Sequence, residues 1–164
     1  DACACLRDRF PQLILLIAGK AFVNHERRLR QLQTHAQMRG IAERVRFLGF
    51  RNDIPDLMNA CDVIVLAARD EGCSRTLCEA QSTGVPVVAA DDGGNRELVA
   101  DGESGYLFAA GNSEKLSERL AELLSSSGRR QAMGAAARRH AQRELSIHRY
   151  CEQMAKLYLR LTGI

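Results

Sequence analysis

The stretch Arg69-Asp-Glu-Gly-Cys-Ser-Arg-Thr-Leu-Cys-Glu-Ala-Gln-Ser-Thr-Gly-Val-Pro-Val-Val-Ala-Ala90 joins two apolar runs, residues 63–68 and 85–90, and its reading decides the fold. An apolar run, a polar connection ending in glycine and a second apolar run describe a strand, a helix and a parallel strand. Residues 74–83 are expected to form the helix, stopped by Gly84. Ahead of it lie Gly72 and Glu71, and within it Glu79, with seven residues between the two acids. Acids and first-turn amides then meet at the carboxyl end of a parallel strand, where open α/β sheets bind ligands.

The same alternation extends in both directions. Residues 13–18 are a continuous apolar run, as in a strand buried on both faces, and Gly19 ends it. A helix is expected over 25–39, with Leu29, Leu32 and Ala36 on one face and Gly40 as its stop. A strand over 45–48 ends at Gly49, and Asp53 is placed to cap a helix over 53–60. Strands follow at 63–66, 86–89 and 106–108, with a short helix at 95–100. From residue 112 the chain reads as helices: one with Leu116, Leu120, Leu123 and Leu124, a break at 125–128, and one over 129–144. A third carries Ile147, Tyr150, Cys151, Met154, Tyr158 and Leu161 on one stripe. This order specifies an α/β domain, Rossmann-like, with a mostly parallel sheet flanked by helices. Residues 1–164 are read as one domain, with 112–164 as its C-terminal helices. Residues 2–10 read as the end of a helix, so the chain is expected to be part of a longer polypeptide.

Bulk properties remove several function classes. Hydrophobic residues at 46% and charged residues at 26% are ordinary for a globular domain. A net charge of +3 gives no argument for nucleic acid, and no apolar run approaches the length of a membrane span. The six cysteines form no CxxC pair, so they read as reduced thiols of a cytoplasmic protein rather than zinc ligands or disulfides. His25, His35, His140 and His148 show no ligand spacing and read as surface residues. Arg129, Arg130, Arg138, Arg139 and Arg143 make a basic helical face, solvated or set against an anionic membrane.

The central stretch carries the chemistry. The amides of Ser74, Arg75, Thr76 and Leu77 would open the helix without intrahelical partners, an anion site reinforced by the helix dipole. Gly72, lacking a Cβ, lets the backbone approach a ligand. Carboxylates such as Glu71 and Glu79 suit paired hydroxyls, as on the ribose in dinucleotide-binding folds. On spacing alone, however, two such acids fit an ordinary strand–helix connection better than a site.

Residue identities add a resemblance. Glu71-Gly-x-x-Arg-Thr-Leu-x-Glu-Ala80 followed by Gly84-x-Pro-Val-Val-Ala89 resembles the retaining nucleotide-sugar transferases called glycosyltransferase group 1, of GT-B architecture. Asp92-Gly-Gly-Asn-Arg-Glu-Leu-Val-Ala-Asp-Gly-Glu-Ser-Gly-Tyr-Leu107 is similar to the segment that follows in that family, and Val45-Arg-Phe-Leu-Gly49 to its strand beside the nucleotide base. The resemblance implies that Glu71 contacts the donor sugar hydroxyls near the reacting carbon and that Glu79 holds the ribose. It places the amides of Ser74, Arg75, Thr76 and Leu77 against the diphosphate or sugar, and Gly49 and Phe50 near the base. Gly72-Cys73-Ser74 replaces the Gly-Phe-Gly of many members, and Arg75 is read either as a phosphate contact or as a surface arginine.

The resemblance further implies a C-terminal, donor-binding half whose first strand, central in a 3-2-1-4-5-6 order, precedes this sequence. The expected donor is a nucleotide-diphosphate sugar, with no metal or other cofactor. The expected acceptor is a glycan, a polysaccharide or a lipid-linked molecule held by an N-terminal domain. This half alone is expected to be inactive, and the whole protein to sit in the cytoplasm or at the inner face of its membrane. The alternative is a non-catalytic nucleotide-binding or regulatory α/β module derived from such a domain. A sugar-nucleotide epimerase fits the two-glutamate segment less well.

Overall fold

The computed structural model describes residues 1–20 and 24–163. In chain order the elements are α1 (Ala2–Leu6), β1 (Leu15–Ala18), α2 (His25–Met38), β2 (Val45–Gly49), α3 (Ile54–Asn59) and β3 (Ile64–Leu66). Then come α4 (Arg75–Thr83), β4 (Val87–Ala90), α5 (Asn95–Leu98), β5 (Gly105–Phe108), α6 (Ser113–Leu124), α7 (Ser127–Glu144) and α8 (Ile147–Thr162). The expected elements are present, with shifted ends where side chains decide the cap. Ser126 Oγ accepts the Arg129 amide at 3.2 Å, so α7 starts earlier than expected and the break after α6 narrows. Asp53 stands at the start of α3 but does not cap it. Arg51 holds its carboxylate instead, with Nε at 2.8 Å, and that pairing keeps the Asp53 carboxyl below its ordinary range.

Every strand pair is parallel, as expected. The strands form two sheets, β1-β2 and β3-β4-β5. The interruption falls between β1 and β3, where the expected order puts its first strand. β4 is the centre of the larger sheet and is fully buried on both faces. Its alternation divides the core in two. Val88 and Ala90 pack with Ala2, Leu6, Tyr106, Phe108, Leu120, Leu123 and Met133 on one side. Val87 and Ala89 pack with Met58, Leu77, Ala80, Leu98 and Val99 on the other. A third cluster, Ala36, Ile41 and Val45 with Leu15, Ile17 and Phe47, holds α2 against the smaller sheet.

A polar network closes the α6–α7 edge. Glu122 accepts the Tyr106 hydroxyl at 2.9 Å and pairs with Arg119 at 3.1 Å and Arg129 at 2.9 Å. Partial burial pushes its carboxyl up, but the Tyr106 and Arg119 hydrogen bonds and the two guanidinium charges outweigh burial and hold it below the ordinary glutamate range. A carboxyl depressed in the folded state stabilises the fold above its unfolded value and loses that contribution as the pH falls through its folded value. Glu122→Gln should therefore lower Tm at neutral pH, and the deficit should close below the ordinary glutamate range of about 4.3. Thermal melts at several pH values check this; a deficit independent of pH would remove Glu122 from the acid limb.

Three of the five arginines expected on the basic face of α7 have carboxylate partners, and Arg138 and Arg139 are exposed. Arg129 pairs with Glu122, Arg130 with Asp62 at 3.1 Å and with the Leu123 carbonyl at 2.8 Å, and Arg143 with Glu144 at 2.8 Å. His140 is also not a plain surface residue, since its Nε2 is buried. The α8 stripe, by contrast, lies open: Ile147, Tyr150, Tyr158 and Leu161 are exposed, and no α8 residue is buried. No described helix is long and apolar enough to cross a membrane.

Candidate functional site

The site is assembled where β3 gives way to α4. Asp70 turns the chain with φ 57°, a left-handed conformation that aspartate tolerates better than most residues. Glu71 follows, half-buried, and its carbonyl accepts the Gly94 amide at 2.8 Å. The approach is close because residues 93 and 94 lack side chains. A Cβ on Gly94 would stand 1.9 Å from the Gly72 carbonyl oxygen, and one on Gly93 2.4 Å from that of Glu71. The pair Gly93-Gly94 thus seats the Glu71 loop. Asn95 anchors the pair in turn, since it is fully buried and its Nδ2 donates to the Ala90 carbonyl at 3.1 Å.

Ser74 caps α4, its buried hydroxyl accepting the Leu77 amide at 3.5 Å. This revises the expected anion site. The Leu77 amide is turned to Ser74, and the Leu77 side chain is fully buried in the core. The amides of Arg75 and Thr76 are those that position leaves without an intrahelical partner. Cys73 is exposed, and Cys78 is half-buried with its thiol held above the ordinary range, first by burial and then by the neighbouring Cys73. That environment works against thiolate chemistry. Among the described residues no group of three His, Cys, Asp or Glu is placed to hold a metal ion.

Thr76 and Glu79, both exposed on α4, line a cleft of about 1000 Å³ together with Gly19, Phe50 and Arg51. Gly19 and Phe50 come from the carboxyl ends of β1 and β2, where Gly19 donates its amide to the Gly49 carbonyl at 2.8 Å. Gly49, at φ 63°, lets β2 turn so that Phe50 projects, 72% exposed. An aromatic ring, a carboxylate and an open helix start around one cleft can take a base, a pair of hydroxyls and an anionic group. Phe50, Thr76 and Glu79 are therefore brought together. Glu71, Gly72, Cys73, Ser74 and Arg75 lie in the adjoining loop and first turn, outside the cleft's lining.

Residue identities gave the acids but not the support. Gly93-Gly94 stand in the segment that resembles the family, and two adjacent glycines are the signal available in the sequence for a close backbone approach.

The family model for glycosyl transferases group 1 matches residues 1–140. The chain belongs to this family. It is 32% identical over 158 residues to the putative glycosyltransferase EpsD of Bacillus subtilis, an alignment covering 96% of this chain and 40% of that protein. It superposes on Anabaena Alr3699/HepE, solved in complex with UDP and glucose, with a TM-score of 0.87 and 31% identity. That match covers all of this chain and 43% of the other. The C-terminal domain of a group 1 transferase, LpcC of Francisella tularensis, matches in fold with a TM-score of 0.81 at 24% identity, over 89% of this chain and 76% of that one. The chain thus spans about two fifths of EpsD and HepE, and its α/β architecture with C-terminal helices is that of GT-B C-terminal domains.

Proposed function

We propose that this chain is the donor-binding half of a retaining glycosyltransferase that moves a hexose from a nucleotide-diphosphate sugar to a glycan, polysaccharide or lipid-linked acceptor. The observation that carries the proposal is the convergence of Phe50, Thr76 and Glu79 on one cleft beside the capped start of α4. Phe50 and Gly49 flank the base, Glu79 holds the ribose hydroxyls, and the amides of Arg75 and Thr76 face the diphosphate. Glu71, with Gly72, Cys73 and Ser74 shaping its loop, orients the sugar. Rate then comes from holding the donor in a reactive pose and from stabilising charge on the departing diphosphate. Support for a nucleotide sugar comes from HepE, whose solved complex holds UDP and glucose. The open stripe of α8 suits packing against an acceptor-binding domain of the same polypeptide.

The test is calorimetry of the complete polypeptide with UDP-, GDP- and ADP-sugars. One of them should bind, and Glu79→Ala should weaken it tenfold or more, since hydrogen bonds to a charged group are worth about 1.5–3 kcal/mol. Glu79 is exposed, so the fold should survive the change. Absence of binding to every donor would leave a regulatory module as the better reading, and transfer unaffected by Glu71→Ala would remove Glu71 from the reaction.

A further inference from the structure

Two of the six free cysteines are neighbours in space, and they flank the capped start of α4. Cys73 stands immediately before the cap Ser74, and Cys78 is the fourth residue of the helix. In a capped helix these are the two positions whose side chains meet, as the residues of a hydrophobic staple do. The meeting is visible in the state of Cys78: after burial, the charge and a side-chain hydrogen bond of Cys73 act on its thiol. The two differ in access. Cys73 is exposed, whereas Cys78 is half-buried and packs on the cluster that holds Leu77, Val87 and Leu98. Neither thiol has a part in the chemistry assigned to the site, yet the pair sits between Glu71 and Glu79.

We propose that Cys73 and Cys78 are a dithiol modification site that exchanges with low-molecular-weight disulfides and closes into a reversible intramolecular disulfide, displacing the Glu71 loop. Cys73, the accessible thiol, attacks one sulfur of a disulfide RSSR as its thiolate, forms the mixed disulfide Cys73–S–SR and releases RS⁻. Cys78 then gives its proton to solvent and attacks Cys73 Sγ, expelling the second RS⁻. The two protein thiols thus supply two protons and two electrons, and RSSR leaves as two RSH. Burial makes Cys78 a poor first nucleophile. The second step is intramolecular, however, so its partner is already in place.

Closure has a mechanical consequence, because Cys78 cannot move. Its amide donates to the Ser74 carbonyl at 3.3 Å, its carbonyl accepts the Ser82 hydroxyl at 2.7 Å, and Leu77 and Ala80 around it are fully buried. Side chains in contact keep heavy atoms about 4 Å apart, and a disulfide holds its sulfurs about 2 Å apart. The Cys73 side takes up the difference, and the space beside Gly72 is open. Glu71 lies two residues away, its carbonyl held by the Gly94 amide at 2.8 Å, so the disulfide pulls against that bond. The bearing on donor binding rests on the reading of Glu71 as a sugar contact; the covalent step and the loop shift do not.

The test incubates the complete polypeptide with glutathione disulfide, alkylates the remaining thiols and digests with trypsin. Cleavage after Arg69, Arg75 and Arg96 puts the two cysteines on separate peptides, residues 70–75 and 76–96. The expected product is these two peptides joined, two hydrogens lighter than their sum, and parted again by dithiothreitol. Cys78→Ala should stop the reaction at the mixed disulfide on Cys73. In the joined form the Gly94 amide should exchange with solvent deuterium at least tenfold faster than in the reduced form. Whichever nucleotide sugar binds the reduced form should bind the joined form about tenfold more weakly, the worth of one hydrogen bond to a charged group. A mixed disulfide that persists on Cys73 of the parent, or peptides that join only in urea, would overturn the modification site. Unchanged Gly94 exchange in the joined form would overturn the coupling to the Glu71 loop. Faster Gly94 exchange with unchanged donor affinity would uphold the disulfide and its coupling, and would remove Glu71 from donor binding instead. The peptide map and the Gly94 exchange need no nucleotide, so they decide the proposal even if no donor binds.

Discussion

Gly94→Ala should lower nucleotide-sugar affinity about a hundredfold while leaving a folded protein. The added Cβ would stand 1.9 Å from the Gly72 carbonyl oxygen and 2.9 Å from the carbon it belongs to. Both are backbone atoms, so no rotamer change relieves the contact. Either the Glu71 loop or the start of α5 must move by about an ångström, enough to break two hydrogen bonds from the Glu71 carboxylate, which at about 1.5 kcal/mol each amounts to about a hundredfold in affinity. The Gly94 amide would also be drawn away from the Glu71 carbonyl that it holds at 2.8 Å. Gly72→Ala is the matched control, since nothing lies within 4 Å of its added Cβ. It should fold without strain, and any affinity it loses is lost to the ligand itself. Calorimetry with whichever nucleotide sugar binds the parent, with thermal melts on the same samples, separates the two. Gly94→Ala binding within threefold of the parent would mean that the Glu71 loop does not position the donor.

How much of this could be read beforehand depended on whether the deciding contacts were local. The apolar run at 85–90 announced a buried strand, and β4 is buried on both faces, because continuous hydrophobicity is what burial between two layers demands. Ser74 before a periodic segment announced a cap, and it caps α4. Asp53 announced one as firmly and failed, because Arg51, two residues away, offers its carboxylate a charged partner instead of an amide. The family resemblance rested on residue identities around Glu71 and Glu79, and the match over residues 1–140 confirms it at the level of the family. What sequence pattern could not give was contact at long separation. Gly94 against Gly72, Arg130 against Asp62 and α1 across two sheets each depend on topology that periodicity does not encode. Two arginines of the basic face expected on α7 find their partners in the same way, Arg129 on α6 and Arg130 on the α3–β3 loop.

The largest stability effect should come from Gly134 in α7, where two opposing terms can be weighed. In an exposed helix, glycine to alanine gains about 1 kcal/mol from backbone entropy. At Gly134 the new Cβ would lie 2.1 Å from the Gly84 carbonyl oxygen and 3.4 Å from Pro86 Cδ. Gly84 cannot give way cheaply. It terminates α4 in a left-handed conformation, φ 79°, with its amide bound to the Gln81 carbonyl at 3.0 Å, and Val85 and Pro86 follow directly into β4. Overpacking of a tight core contact costs about 1–3 kcal/mol and at times more, so the steric term outweighs propensity. With the propensity gain set against the steric cost, Gly134→Ala should lose about 1–2 kcal/mol net, which for a domain of this size is a fall in Tm of about 2–8 °C. Gly128→Ala, near the start of the same helix with no atom closer than Ser126 Oγ at 4.0 Å, should instead hold or raise Tm. Opposite signs from one substitution in one helix would locate the cost at the α4–α7 contact. A neutral or stabilising Gly134→Ala would show that α7 does not press on the end of α4. Because α4 also carries Glu79, donor affinity measured well below the Tm of the variant then tells whether that contact only stabilises the fold or also sets the position of the acid.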